Sequence, residues 1–95
     1  MISPIAAGVA GAIIIREVGS STVTFNWNAV ANAQSYDVSL LRGGSVVTST
    51  TVLTSASRSL TFNIMSGAVR HTIRVQATGT QVSTSREFTS GKTWG

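Results

Sequence analysis

The stretch TVTFNWNAVANAQSYDVSL, residues 22–40, decides the fold. Val23, Phe25 and Trp27 alternate with Thr22, Thr24, Asn26 and Asn28. A period of two is what an extended strand imposes when one of its faces is buried. The alternation lapses over AVANAQS and resumes with Tyr36, Val38 and Leu40 opposite Ser35, Asp37 and Ser39. Small, turn-prone residues read as a connection, so the lapse is a loop crossing between two strands whose apolar residues both point inward.

Working outward, Gly43-Gly44 can adopt the positive φ angles of a tight hairpin, and SVVTSTT at 45–51 is the returning strand. The polar run TSASRS leads into Leu60, Phe62 and Ile64, which alternate again. MSGAV turns the chain, after which His71, Ile73, Val75 and Ala77 alternate with Arg70, Thr72, Arg74 and Gln76. Gly79 marks a further turn, and a last strand is expected over about 81–89 with Val82 and Phe88 as its apolar contacts. AIIIREV supplies a first strand from about Ala12 to Val18. The sole proline, Pro4, stands outside every one of these segments, where no ladder donor is lost. Seven half-buried strands with no helical pattern predict an all-β, seven-stranded antiparallel two-sheet sandwich. Its expected core is Val23, Phe25, Trp27, Tyr36, Val38, Leu40, Leu60, Phe62, Ile64, His71, Ile73 and Val75.

Composition agrees. Charged residues make up 11% of the 95 positions, against a usual share of about 25%. Serine and threonine take their place on the solvated faces, which suits exposed strands better than helices. The absence of cysteine excludes a disulfide framework, a thiolate nucleophile and a thiolate metal site. The net charge of +4 comes without a run of consecutive basic residues, so solubility is its plain reading.

VTFNWNAV and SYDVSL resemble the second and third strands of a fibronectin type III domain, where a tryptophan ends one strand and Tyr-x-Val opens the next. GAVRHTIRVQATG resembles that family's sixth strand, with Val75 and Ala77 in the matching places. The resemblance covers roughly residues 12–90. It implies the sandwich again, and little about function, because this scaffold carries many unrelated roles. His71 stands where the family has a tyrosine whose hydroxyl, in related sandwiches, ties back to upstream backbone. An immunoglobulin domain proper would need an inter-sheet cysteine pair, which is missing.

No catalytic, cofactor or metal site is expected. His71, the sole histidine, falls on an inward position beside Ile73 and Val75, where a packed, hydrogen-bonded ring is the natural reading. Glu17, Asp37 and Glu87 are too scattered for a carboxylate pair or a ligand set. SGKT at 90–93 ends like a phosphate-binding loop, but Arg86 occupies the position of the required first glycine. No Asn-x-Ser/Thr acceptor and no Arg-Gly-Asp triplet occurs.

Three segments are expected: an apolar arm at 1–11, the sandwich at 12–90 and a tail at 91–95. The arm's apolar run, Ile5 to Ile15, is about half the length needed to cross a bilayer and has no basic residue before it. Neither a membrane span nor a secretory signal is therefore expected, and Met1 reads as a natural start. Ile2, Ile5 and Val9 in the arm, Trp94 in the tail, and Arg70 and Arg74 on one strand face are the candidate partner-binding residues. Arg42 on a neighbouring strand is a candidate extension of that basic face. Without interleaved aromatics the face is not expected to hold nucleic acid. The expected partner is protein, as part of a larger assembly. The leading expectation is a virion protein, a capsid decoration or tail-associated protein of a tailed bacteriophage, since sandwich modules resembling this family are common there. The alternative is an extracellular adhesion or spacer module of a larger secreted bacterial protein.

Overall fold

The computed structural model describes residues 9–91. They form seven strands: β1 (Ile13–Val18), β2 (Thr22–Trp27), β3 (Ser35–Arg42), β4 (Ser45–Leu53), β5 (Ser59–Asn63), β6 (Arg70–Thr78) and β7 (Ser83–Thr89). One sheet has the order β1-β2-β5 and the other β4-β3-β6-β7, with every pairing antiparallel. The described residues contain no helix. The fold is an all-β sandwich of three strands on four.

Alternation in the chain becomes layering in space. β2 turns Val23, Phe25 and Trp27 into the interior, and all three are buried. On its outer face the Thr24 hydroxyl bonds that of Thr61 on β5 at 2.9 Å. β3 turns Tyr36, Val38 and Leu40 inward from the other sheet, in register with Ala77, Val75 and Ile73 of β6. Phe62 and His71 are buried as well, while Leu60 and Ile64 are half-buried and pack against the same core. Trp27 and Tyr36 meet between the sheets, ring centroids 5.6 Å apart and nearly perpendicular. Phe25 continues the aromatic row, 6.0 Å from Trp27 and 5.5 Å from Phe62. Edge-to-face contacts of this kind add about 0.5–1.5 kcal/mol beyond area burial.

The connection over AVANAQS is held by the residue that follows it, Tyr36. The buried backbone N–H of Val30 donates to the Tyr36 hydroxyl at 3.1 Å, so the ring that packs on Trp27 also satisfies the loop. β1 carries a bulge at Arg16, between Ile15 and Glu17. The extra residue lets both Ile15 and Val18 lean on the core across a shift in alternation. Gly43 and Gly44, at φ +61° and +83°, form the two-residue hairpin between β3 and β4.

Two boundaries differ from the sequence expectation. β4 runs two residues further, to Leu53. β7 starts at Ser83 rather than 81 because the Thr80 hydroxyl donates to Ala77 O at 2.8 Å and accepts from Val82 N–H at 3.0 Å. That local turn takes up the backbone that would otherwise begin the strand.

Candidate interaction surfaces

His71 lies 1% exposed at the start of β6, stacked on Phe88 of β7 at 5.5 Å. The Met65 backbone N–H donates to its Nε2 at 3.3 Å, so Nε2 must be the acceptor. Nδ1 then carries the hydrogen and donates to Val69 O at 3.0 Å. Both nitrogens are engaged with backbone. The tie to Met65, six residues upstream, is the kind of link a tyrosine hydroxyl makes in related sandwiches. The ring is packed in the core and tied at both nitrogens to the turn before β6.

The acids do not converge. The Thr51 hydroxyl donates to Asp37 Oδ1 at 3.1 Å on the outer face of the larger sheet. Glu87 lies on β7 and Glu17 on β1, in the other sheet. Among the described residues no three His, Cys, Asp or Glu side chains come close enough to hold a metal ion. No described helix is long and apolar enough to cross a membrane.

Arg70 and Arg74 are exposed and share the outer face of β6. Register places Thr72 between them, with Glu87 of β7 beside Thr72, so a carboxylate interrupts the basic face. Arg42 does not extend it. By alternation it shares the inward face of Leu40 at the end of β3, where it is half-buried. Arg86 acts within the fold: its Nη1 donates to Ile13 O at 2.9 Å, clipping β7 to β1 across the sandwich edge. Arg58 similarly donates from Nε to Trp27 O at 3.2 Å. Neither use was legible in the sequence, because both acceptors are backbone carbonyls on distant strands.

Of the terminal candidates, Ile2, Ile5 and Trp94 lie outside the described residues. Val9 exposes its side chain, but its carbonyl accepts from Asn28 Nδ2 at 2.9 Å and from Ala12 N–H at 3.2 Å. Gly11 N–H donates to Asn28 O, and Thr84 bonds Gly11 O. Residues 9–11 are thus anchored beside the end of β2. At the other terminus Gly91 N–H donates to Gly19 O and Gly67 N–H to Gly91 O. The described chain enters at the Trp27–Tyr36 pole and leaves at the opposite one.

The remaining exposed feature is β4. Seven of its first seven side chains are exposed, and Val46, Val47 and Leu53 are among the large apolar residues most open to solvent. The three-stranded sheet does not reach far enough to cover this fourth strand.

No known protein family matches the sequence, and no curated protein does either. Solved structures do match in shape. A computationally redesigned β-sandwich protein superposes with a TM-score of 0.68 at 20% identity, over 85% of this chain and 92% of its own. A myokine structure gives 0.64 at 12% identity, over 88% of this chain and all of the other. At such identities the likeness is one of fold, and the chain is a small all-β sandwich compatible with an immunoglobulin- or fibronectin-type domain.

Proposed function

We propose that the chain is a non-enzymatic structural module, fibronectin type III-like, that works by docking on a larger protein assembly. The observation that carries this reading is the employment of its chemistry-bearing groups. His71 spends both ring nitrogens on backbone, the Tyr36 hydroxyl accepts from Val30, and Asp37 accepts from Thr51. What remains for function is surface: the Arg70–Arg74 face, the bare β4 strand and the apolar sequence at the two ends. The capsid or tail of a tailed bacteriophage is the setting that suits a charge-poor, Ser/Thr-rich sandwich with apolar ends.

Quantitative mass spectrometry of gradient-purified virions tests it. The reading requires this chain in fixed ratio to a major capsid or tail protein, and Arg70→Glu with Arg74→Glu should lower that ratio. Strong hydrogen-exchange protection of residues 2–10 in the isolated monomer would count against the arm as a docking element. The exit of the described chain at opposite poles favours a second reading, a spacer or adhesion module in a larger secreted bacterial protein. Recovery of the sequence within a longer extracellular polypeptide, and never in particles, would decide for it.

A further inference from the structure

The sandwich has four edge strands, and three of them are guarded. β1 carries the Arg16 bulge and is clipped at Ile13 O by Arg86 of β7, while Thr84 holds Gly11 just before it. β7 contains Arg86 and Glu87, and β5 is only five residues long. Charges, bulges, short length and cover are the usual defences of an edge. β4 has almost none of them. It runs nine residues without a charge or a proline, its one bulge being at Val47 near the hairpin. Alternate N–H and C=O groups of such an edge point outward, ready for another strand.

We infer that β4 is a self-association edge, on which two copies of this chain pair antiparallel about Thr50 into one continuous eight-stranded sheet. The symmetry follows from pleating. A two-fold axis through the sheet must set residues of the same face opposite each other, so it passes through a residue. Centring on Thr50 keeps the paired segment, 47–53, clear of most of the bulge. It sets Ser49 against Thr51, Thr48 against Val52, and Leu53 against the Val46–Val47 bulge at each end. The exposed apolar residues of the strand are thereby brought together rather than left apart.

Self-complementarity selects a second copy, because the register sets the exposed Leu53 of each strand against the exposed Val46–Val47 of the other, and charge does not oppose it. Each chain has a net charge of +4, yet residues 45–53 contribute none of it. The nearest strand bearing charge, β3, would stand three strand spacings, about 14 Å, from its counterpart. That exceeds the screening length of ~8 Å at physiological salt. The area is modest: a strip ~24 Å long and ~10 Å deep removes roughly 500 Å² over both copies. Stable complexes bury about 1,200–2,000 Å². The association is therefore weak in dilute solution and grows with concentration.

Sedimentation equilibrium of the full chain from about 10 µM to about 1 mM tests this, with hydrogen exchange at both ends of the range. The wild type should show a monomer–dimer equilibrium, with added protection confined to 45–53 at high concentration. Ser49→Lys with Thr51→Lys places like charges opposite one another and should weaken dimerisation at least tenfold. Ser49→Glu with Thr51→Lys places opposite charges there and should stay within about threefold of wild type. Both substituted positions are exposed, and circular dichroism checks that each variant folds. A chain that stays monomeric to 1 mM, leaving the edge free or held for a foreign strand, overturns the inference. So does a dimer equally strong in both variants, or one whose added protection lies elsewhere.

Discussion

His71→Phe separates a structural ring from a chemical one. Phenylalanine is somewhat larger than histidine but keeps a ring on Phe88 and leaves the core apolar, so the change chiefly removes two hydrogen bonds. At one end Val69 O loses His71 but keeps its bond from Ser90 N–H at 2.9 Å, so that site forfeits only a net bond, about 0.5–1.5 kcal/mol. At the other end the Met65 N–H loses its partner. An orphaned buried donor costs about 1–3 kcal/mol, but Met65 is exposed and water reaches part of the way, which puts this site at ~1 kcal/mol. Together the loss is about 1.5–2.5 kcal/mol. For a domain of this size each kcal/mol shifts Tm by roughly 4–8 °C, so a fall of about 10 °C is expected. Urea unfolding followed by the fluorescence of Trp27 should show a lower midpoint at unchanged slope. A Tm within 2 °C of wild type would refute the backbone tie as a source of stability.

Tyr36→Phe should cost about 1–2 kcal/mol in the same assay, because the Val30 N–H it abandons is buried; a neutral result would mean the loop finds another acceptor. Two turn positions should respond with opposite signs. Gly79 sits at φ +82°, and a Cβ there would lie 2.9 Å from Gln34 Cγ, so Gly79→Ala should destabilise by about 1–2 kcal/mol. Ala68 holds φ +63° without being glycine, so Ala68→Gly should stabilise by about 0.5 kcal/mol after the added freedom of the unfolded chain is deducted. Equal signs at 68 and 79 would contradict the assigned backbone.

Alternation says which way a side chain points, and it says nothing about what waits there. For β2, β3 and β6 the two coincide, because each lies opposite another sheet, so Val23, Tyr36 and Ile73 could be read as core directly. SVVTSTTVL shows how they separate: Thr48 and Thr50 share the inward direction of Leu40 and Val38 yet stay exposed, since three strands cannot roof four. Contacts that close the sandwich were illegible for a related reason. Arg86 reads as a basic residue spoiling a phosphate loop, and only the approach of β7 to β1 shows that Ile13 O is its partner. His71 reads as an anomaly in a tyrosine's place, and only the turn at Met65 shows that an imidazole nitrogen serves the same backbone need. Backbone acceptors leave no mark in a sequence, whereas apolar side chains do. A protein built with few charges and much backbone bonding is therefore plain in its layers and obscure at its edges.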